Sequence, residues 1–101
     1  MQTIKELIRQ RRSQMLVHSY IYYWYNDNLV SDDTWQKWAD ELATIQRQHP
    51  EECKIDFYDT VFSDWTGATG SHLPKDDWVV NKAMNICRTH YLYQTKDILH
   101  D

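Results

Sequence analysis

Three groups of residues in this chain are of types that could do chemistry. The first is HSYIYYWYNDNLVSDD, residues 18–33. It sets four tyrosines and a tryptophan among residues 20–25, runs through Asn26-Asp27-Asn28 and restarts on Ser31-Asp32-Asp33. A phenol and an acid, Tyr22 and Asp32, meeting at the mouth of a helical hairpin can hold a ribose or an amide. The second is DWTGATGSHLP, residues 64–74, where Gly67 and Gly70 could present backbone amides to a phosphate at positive φ. No Gly-Lys-Ser/Thr follows and no βα unit precedes, so the stronger phosphate-binding patterns are missing. A paired glycine turn over the aromatic hairpin is the better-supported reading. The third group is thiols and imidazoles: Cys87 and His90 lie three apart, half of a four-ligand zinc site, and His49, Cys53 and His72 would have to converge with them. No nucleophile–base–orienter set can be assembled. The expectation is a chain with no catalytic residue, no metal and no cofactor.

The elements that must position these residues are helical. Thr3 and Glu6 form a T-x-x-E start, and Ile4, Leu7, Ile8, Met15, then Val17 or His18, Ile21, Tyr22 and Tyr25 recur near helical spacing. This predicts a first helix to about Tyr25 or Asn26, ended by Asn26, Asp27 and Asn28, which favour turns. Tyr22 and Tyr25 are expected on its core stripe. Consecutive residues step about 100° around a helix, so Tyr23 and Trp24 must leave that stripe, covered by the later loop or exposed as a contact patch. Covering is the expectation.

Ser31 predicts a second cap, with Asp32 and Asp33 in the first turn against the positive end of the helix dipole. Trp35, Trp38, Leu42 and Ile45 form one stripe until His49-Pro50 stops the helix. With about five residues between them, the helices must be an antiparallel hairpin. Residues 51–75 contain both glycines of the chain and many aromatics, which predicts a long ordered loop packed by its own apolar side chains, with a short strand or helical turn within 55–63. Asp76 or Asp77 caps a third helix over about 77–94, with Val79, Val80, Ala83, Ile86, Cys87, His90 and Tyr91 on one face and a frayed tail. The expected fold is all-α and a single domain over 1–101: hairpin 1–50, loop 51–75, C-terminal helix 76–101.

Composition bounds the function. Net charge is −4, and residues 31–77 hold eleven acids against four Lys/Arg. That opposes generic nucleic-acid binding, which needs clustered cations. Arg9, Arg11 and Arg12 make one small basic patch, expected on a solvated first helix. No apolar run is long enough to span a bilayer and no signal-peptide pattern opens the chain, so a cytoplasmic protein with reduced Cys53 and Cys87 is expected.

Residues 14–51, QMLVHSYIYYWYNDNLVSDDTWQKWADELATIQRQHPE, resemble the small N-terminal helical domain of bacterial NAD-dependent DNA ligases. That domain has a helix ending in H-x-Y-x-Y-H, a short turn, I-x-D-x-x-Y-D-x-L-x-x-E-L and a closing H-P-E. The resemblance implies a grip on the nicotinamide mononucleotide half of NAD through five side chains. The first tyrosine falls on Tyr22 and the first aspartate on Asp32, both kept. The family's histidine falls on Tyr23, its second tyrosine on Trp35 and its second aspartate on Gln36. The ligase nucleophile belongs to a separate domain that has no counterpart in these 101 residues. From Asp64 through WTGATGSHLP to WVVNKA, the chain is similar to short phage-encoded ligase-related proteins, which implies a phage origin and a bacterial host cytoplasm.

Two functions are therefore expected, in order. The first is a non-catalytic interaction protein that binds a host nucleic-acid or defence enzyme, with inhibition of it left open, through an acidic and aromatic face of Tyr23, Trp24, Asp33, Asp40, Glu41, Gly67 and Gly70. The second is a binder of nicotinamide mononucleotide or NAD through Tyr22, Tyr23, Asp32, Trp35 and Gln36. Whether Tyr22 and Asp32 line a cavity or are sealed discriminates them. The oligomeric state stays open.

Overall fold

Short polar side chains open each helix. Thr3 accepts the Glu6 N–H at 3.1 Å and donates its hydroxyl to the Glu6 carboxylate at 3.1 Å, so the return contact runs to the hydroxyl. The helix it starts, α1, covers Ile4–Tyr23. Ser31 accepts the Thr34 N–H at 3.1 Å and opens α2, Asp32–Gln48, which stops at His49 and passes into a 3-10 turn at Pro50–Glu52. Asp76 accepts the Val79 N–H at 3.1 Å and opens α3, Asp77–Leu99, five residues longer than the apolar pattern predicts. In the computed structural model these elements are described over residues 2–25 and 29–99, the side chains of 91–99 excepted. The expected Asn26-Asp27-Asn28 turn and the placing of Tyr91 lie outside the described residues. All regular structure among those described is helical.

Helices α1 and α2 run antiparallel, because contacts pair late positions of one with early positions of the other. Trp35 Nε1–H donates to Ser19 Oγ at 3.2 Å, Arg11 meets Glu41, and Arg12 meets Gln46. Helix α1 packs on both α2 and α3. It therefore buries a broad arc: Ile8, Met15 and Leu16 toward Ala39, Leu42 and the loop, and Val17 and Ile21 toward Ala83.

The chain between α2 and α3 folds down on this pair. Phe57, Phe62, Trp65 and Leu73 are buried, and Trp65 Nε1–H donates to the Ala39 carbonyl at 3.0 Å. Of the expected short strand or helical turn within 55–63, it is the turn that forms, with Phe62 N–H bonded to the Tyr58 carbonyl at 3.2 Å.

Three expectations are corrected here. Arg12 is not part of a solvated basic patch; it is 1% exposed and forms the floor under the loop. Tyr22 and Tyr25 are not on the core stripe, being 47% and 45% exposed, because the buried arc of α1 ends at Ile21. Tyr23 and Trp24, at 40% and 53%, are not covered, although the loop touches both. Tyr23 Oη lies 3.3 Å from Thr69 Oγ1, and Lys75 Nζ sits 3.4 Å above the Trp24 ring.

Candidate functional site

The end of α1, the start of α2 and the glycine loop meet around a cavity of about 190 Å³. Tyr22, Tyr23, Asp32, Trp35 and Gln36 all line it. Five positions taken from two sequence segments thus share one concave surface. His18, one turn before Tyr22, and Leu29, Val30 and Ala68 complete the wall.

The rings are held from behind. Tyr22 and Tyr23 pack edge to face at 4.9 Å between centroids, an arrangement their ring quadrupoles favour. The Trp35 indole is tied to Ser19, itself 1% exposed, and packs on Trp65. His18 leans on Trp38 at 5.4 Å, and burial pushes its imidazole below the ordinary 6.5, so it is uncharged at neutral pH. Gln36 uses Nε2 twice, toward Asp40 Oδ1 at 2.9 Å and the Gly67 carbonyl at 3.0 Å. Its Oε1 is left as an acceptor.

Both glycines support this wall. Gly67 holds φ +86°, where only glycine is relaxed, and a Cβ would lie 3.1 Å from the Ala39 carbonyl oxygen. At Gly70 a Cβ would overlap Ser19 Oγ and stand 2.9 Å from Ser19 Cβ and 3.1 Å from the Trp35 ring. Both residues are buried, which takes them off any surface a partner could touch. The two glycines therefore present no amides to a phosphate; they seat the loop so that Ala68 closes the cavity and Thr69 lies against Tyr23.

The acids named for a partner face separate in the same way. Asp33 is exposed; Asp40 is exposed but bonded to Gln36; Glu41 is partly buried in an ion pair with Arg11 at 2.9 Å. Glu41 is therefore not a free surface charge as helical phase suggests. His49 and Cys53 meet only through a backbone contact, the thiol donating to the His49 carbonyl at 3.4 Å, and burial pushes that thiol's pKa up. Such a thiol is a poor nucleophile. Among the described residues no three His, Cys, Asp or Glu gather as a metal would require, and Cys53 and Cys87 are not joined.

Of the four lining residues that sequence reasoning did not name, His18, Leu29, Val30 and Ala68, His18 is the polar one. Its signal was present: four residues before Tyr22, it must share Tyr22's face of a helix. Ala68 carried no comparable signal of its own; it lies between the two glycines of the turn expected over the hairpin, and nothing singles it out within that turn.

No family model matches this chain, and neither curated proteins nor solved structures offer a match. Among the described residues no helix is long and apolar enough to cross a membrane.

Proposed function

We propose that the protein is a non-catalytic binding module whose cavity takes a single cationic ring of the nicotinamide type. The observation that carries this reading is the convergence of Tyr22, Tyr23, Asp32, Trp35 and Gln36 on one cavity. Aromatic faces attract a cation through their quadrupole, and a carboxylate at the mouth adds a full opposite charge. A neutral His18 does not oppose it. The Gln36 carbonyl oxygen can accept an N–H from the ring's carboxamide.

Size sets the limit of the ligand. About 190 Å³ is below the roughly 300 Å³ at which pockets for drug-sized ligands begin, so the cavity fits one ring and not a dinucleotide. Among the described residues no lysine or arginine lines it, so a nucleotide's phosphate would lie outside. The test is thermal unfolding with oxidised nicotinamide mononucleotide, whose ring is a cation, against its reduced, uncharged form. A saturable rise in melting temperature is expected with the oxidised form, following RT ln(1 + [L]/Kd), and a much smaller one with the reduced form. Asp32→Asn should shrink the difference. No rise with the oxidised form, or equal rises with both, sinks the proposal.

The exposed rings support a second reading, a protein partner at the same end. Four consecutive large aromatics, Tyr22 to Tyr25, are each 40% or more exposed, and interfaces favour such residues at their centres. In this reading the partner is a host nucleic-acid or defence enzyme, with Asp33 at the rim. Trp24→Ala with Tyr25→Ala should then abolish its capture, while Asp33→Lys slows association and flattens its salt dependence. Capture that survives the aromatic pair removes this reading.

A further inference from the structure

We infer a second binding site, for a phosphomonoester on a small molecule of up to nucleotide size, in the groove between the C-terminal half of α2 and residues 53–66. The groove encloses about 730 Å³, within the range of small-molecule sites, and shares no lining residue with the hairpin cavity.

The floor is fixed and close to neutral. The Arg12 guanidinium donates to Gln46 Oε1 at 2.9 Å, the Phe57 carbonyl at 2.8 Å, the Cys53 carbonyl at 3.0 Å and Asp59 Oδ1 at 2.6 Å. The Asp59 carboxylate also accepts the N–H groups of Ile55, Asp56 and Phe57, so its charge is turned inward and offset.

The rim is where charge is available. Arg47 and Lys54 line the groove, are exposed, and form no ion pair or hydrogen bond with any described residue. Asp64 is the one groove acid left to oppose them. Two of the four Lys/Arg in the acidic stretch 31–77 therefore stand over one groove. A concavity rimmed by two cations in a protein of net charge −4 draws small anions, because both cations converge on one concave surface. Arg47 can take two oxygens of a phosphate as a fork and Lys54 a third as a point charge. Thr66 Oγ1 accepts the Ala68 N–H and keeps its own hydrogen to donate. A polyanion does not fit this reading, since the acids of residues 31–77 surround the two cations.

Calorimetric titration at low ionic strength tests the site, using inorganic phosphate and adenosine monophosphate on wild type, Arg47→Ala, Lys54→Ala, and Lys37→Ala as a charge control elsewhere on α2. Saturable binding of adenosine monophosphate is expected, weakened about tenfold by Arg47→Ala or Lys54→Ala, as loss of one charged phosphate contact implies, and unchanged by Lys37→Ala. Inorganic phosphate should bind more weakly at the same place, because it leaves the apolar wall of the groove uncovered. Melting temperatures should match wild type, since neither rim residue holds the fold. No saturable binding of either ligand at millimolar concentration, or equal weakening by Lys37→Ala, overturns the proposal. Because no hairpin-cavity residue is altered, neither result bears on the cationic-ring site.

Discussion

Arg12 is a guanidinium whose acceptors come from α2, from two loop carbonyls and from Asp59, so one side chain ties the loop to the helical pair. Its removal leaves the Cys53 and Phe57 carbonyls without this donor and takes the cation from the partly exposed Asp59 carboxylate. Arg12→Met is expected to cost about 3–5 kcal/mol in urea unfolding, and Arg12→Lys should recover little, since an ammonium cannot make the planar fork. Burial alone would raise the Asp59 carboxyl, but the bonds from Arg12 and the three amides hold it below the ordinary range. That contribution is present above the unfolded carboxylate pKa and is lost as pH falls through the native one. Tyr58 titrates at the other extreme. Burial, and then its 2.7 Å bond to Asp76, push its pKa from 10.0 up to about 12. Between those values the unfolded chain loses the proton first, so native stability is full below pH 10 and declines as pH rises toward 12. Wild type should lose stability faster than Tyr58→Phe across that window; parallel slopes would show that Tyr58 is not the group responsible.

Helix boundaries were legible because the signals are local. Thr3, Ser31, His49-Pro50 and Asp76 each act within one turn of themselves, and each marks an end where expected. The faces were less legible. Helix α1 lies between two partners, so its buried arc is wide and stops at Ile21, and spacing alone assigns Tyr22 and Tyr25 to the core. Arg12 misled for the same reason, since its acceptors lie 34 to 47 residues away and no helical pattern announces them. The cavity was partly legible: Tyr22, Tyr23, Asp32, Trp35 and Gln36 were expected to share a site and all line it, and the glycine turn was expected over the hairpin, but the rest of the wall was not foreseen. The closing turn makes a prediction. Gly70→Ala forces a methyl group against Ser19 and the Trp35 ring and should cost about 1–3 kcal/mol, as overpacking does. If the variant is as stable as wild type, the loop does not pack as described.

At the scale of the whole molecule, the two concave sites are opposite in sign. One is walled by rings and an acid, the other rimmed by Arg47 and Lys54. Raising salt should weaken the groove's binding of adenosine monophosphate more than the cavity's binding of a cationic ring, because the groove relies on two exposed cations and a multiply charged ligand, whereas the cavity adds ring faces to a single carboxylate. The five tryptophans allow the cavity to be watched directly. Trp35 lines it with its indole N–H tied to Ser19, whereas Trp78 packs on Phe57 away from it. The decisive measurement is a proton–nitrogen correlation spectrum of the indole groups during titration with oxidised nicotinamide mononucleotide. The cationic-ring reading predicts a saturable displacement of the Trp35 signal with Trp78 unmoved. A Trp35 signal that stays in place up to millimolar ligand, or all five signals drifting together, would contradict it.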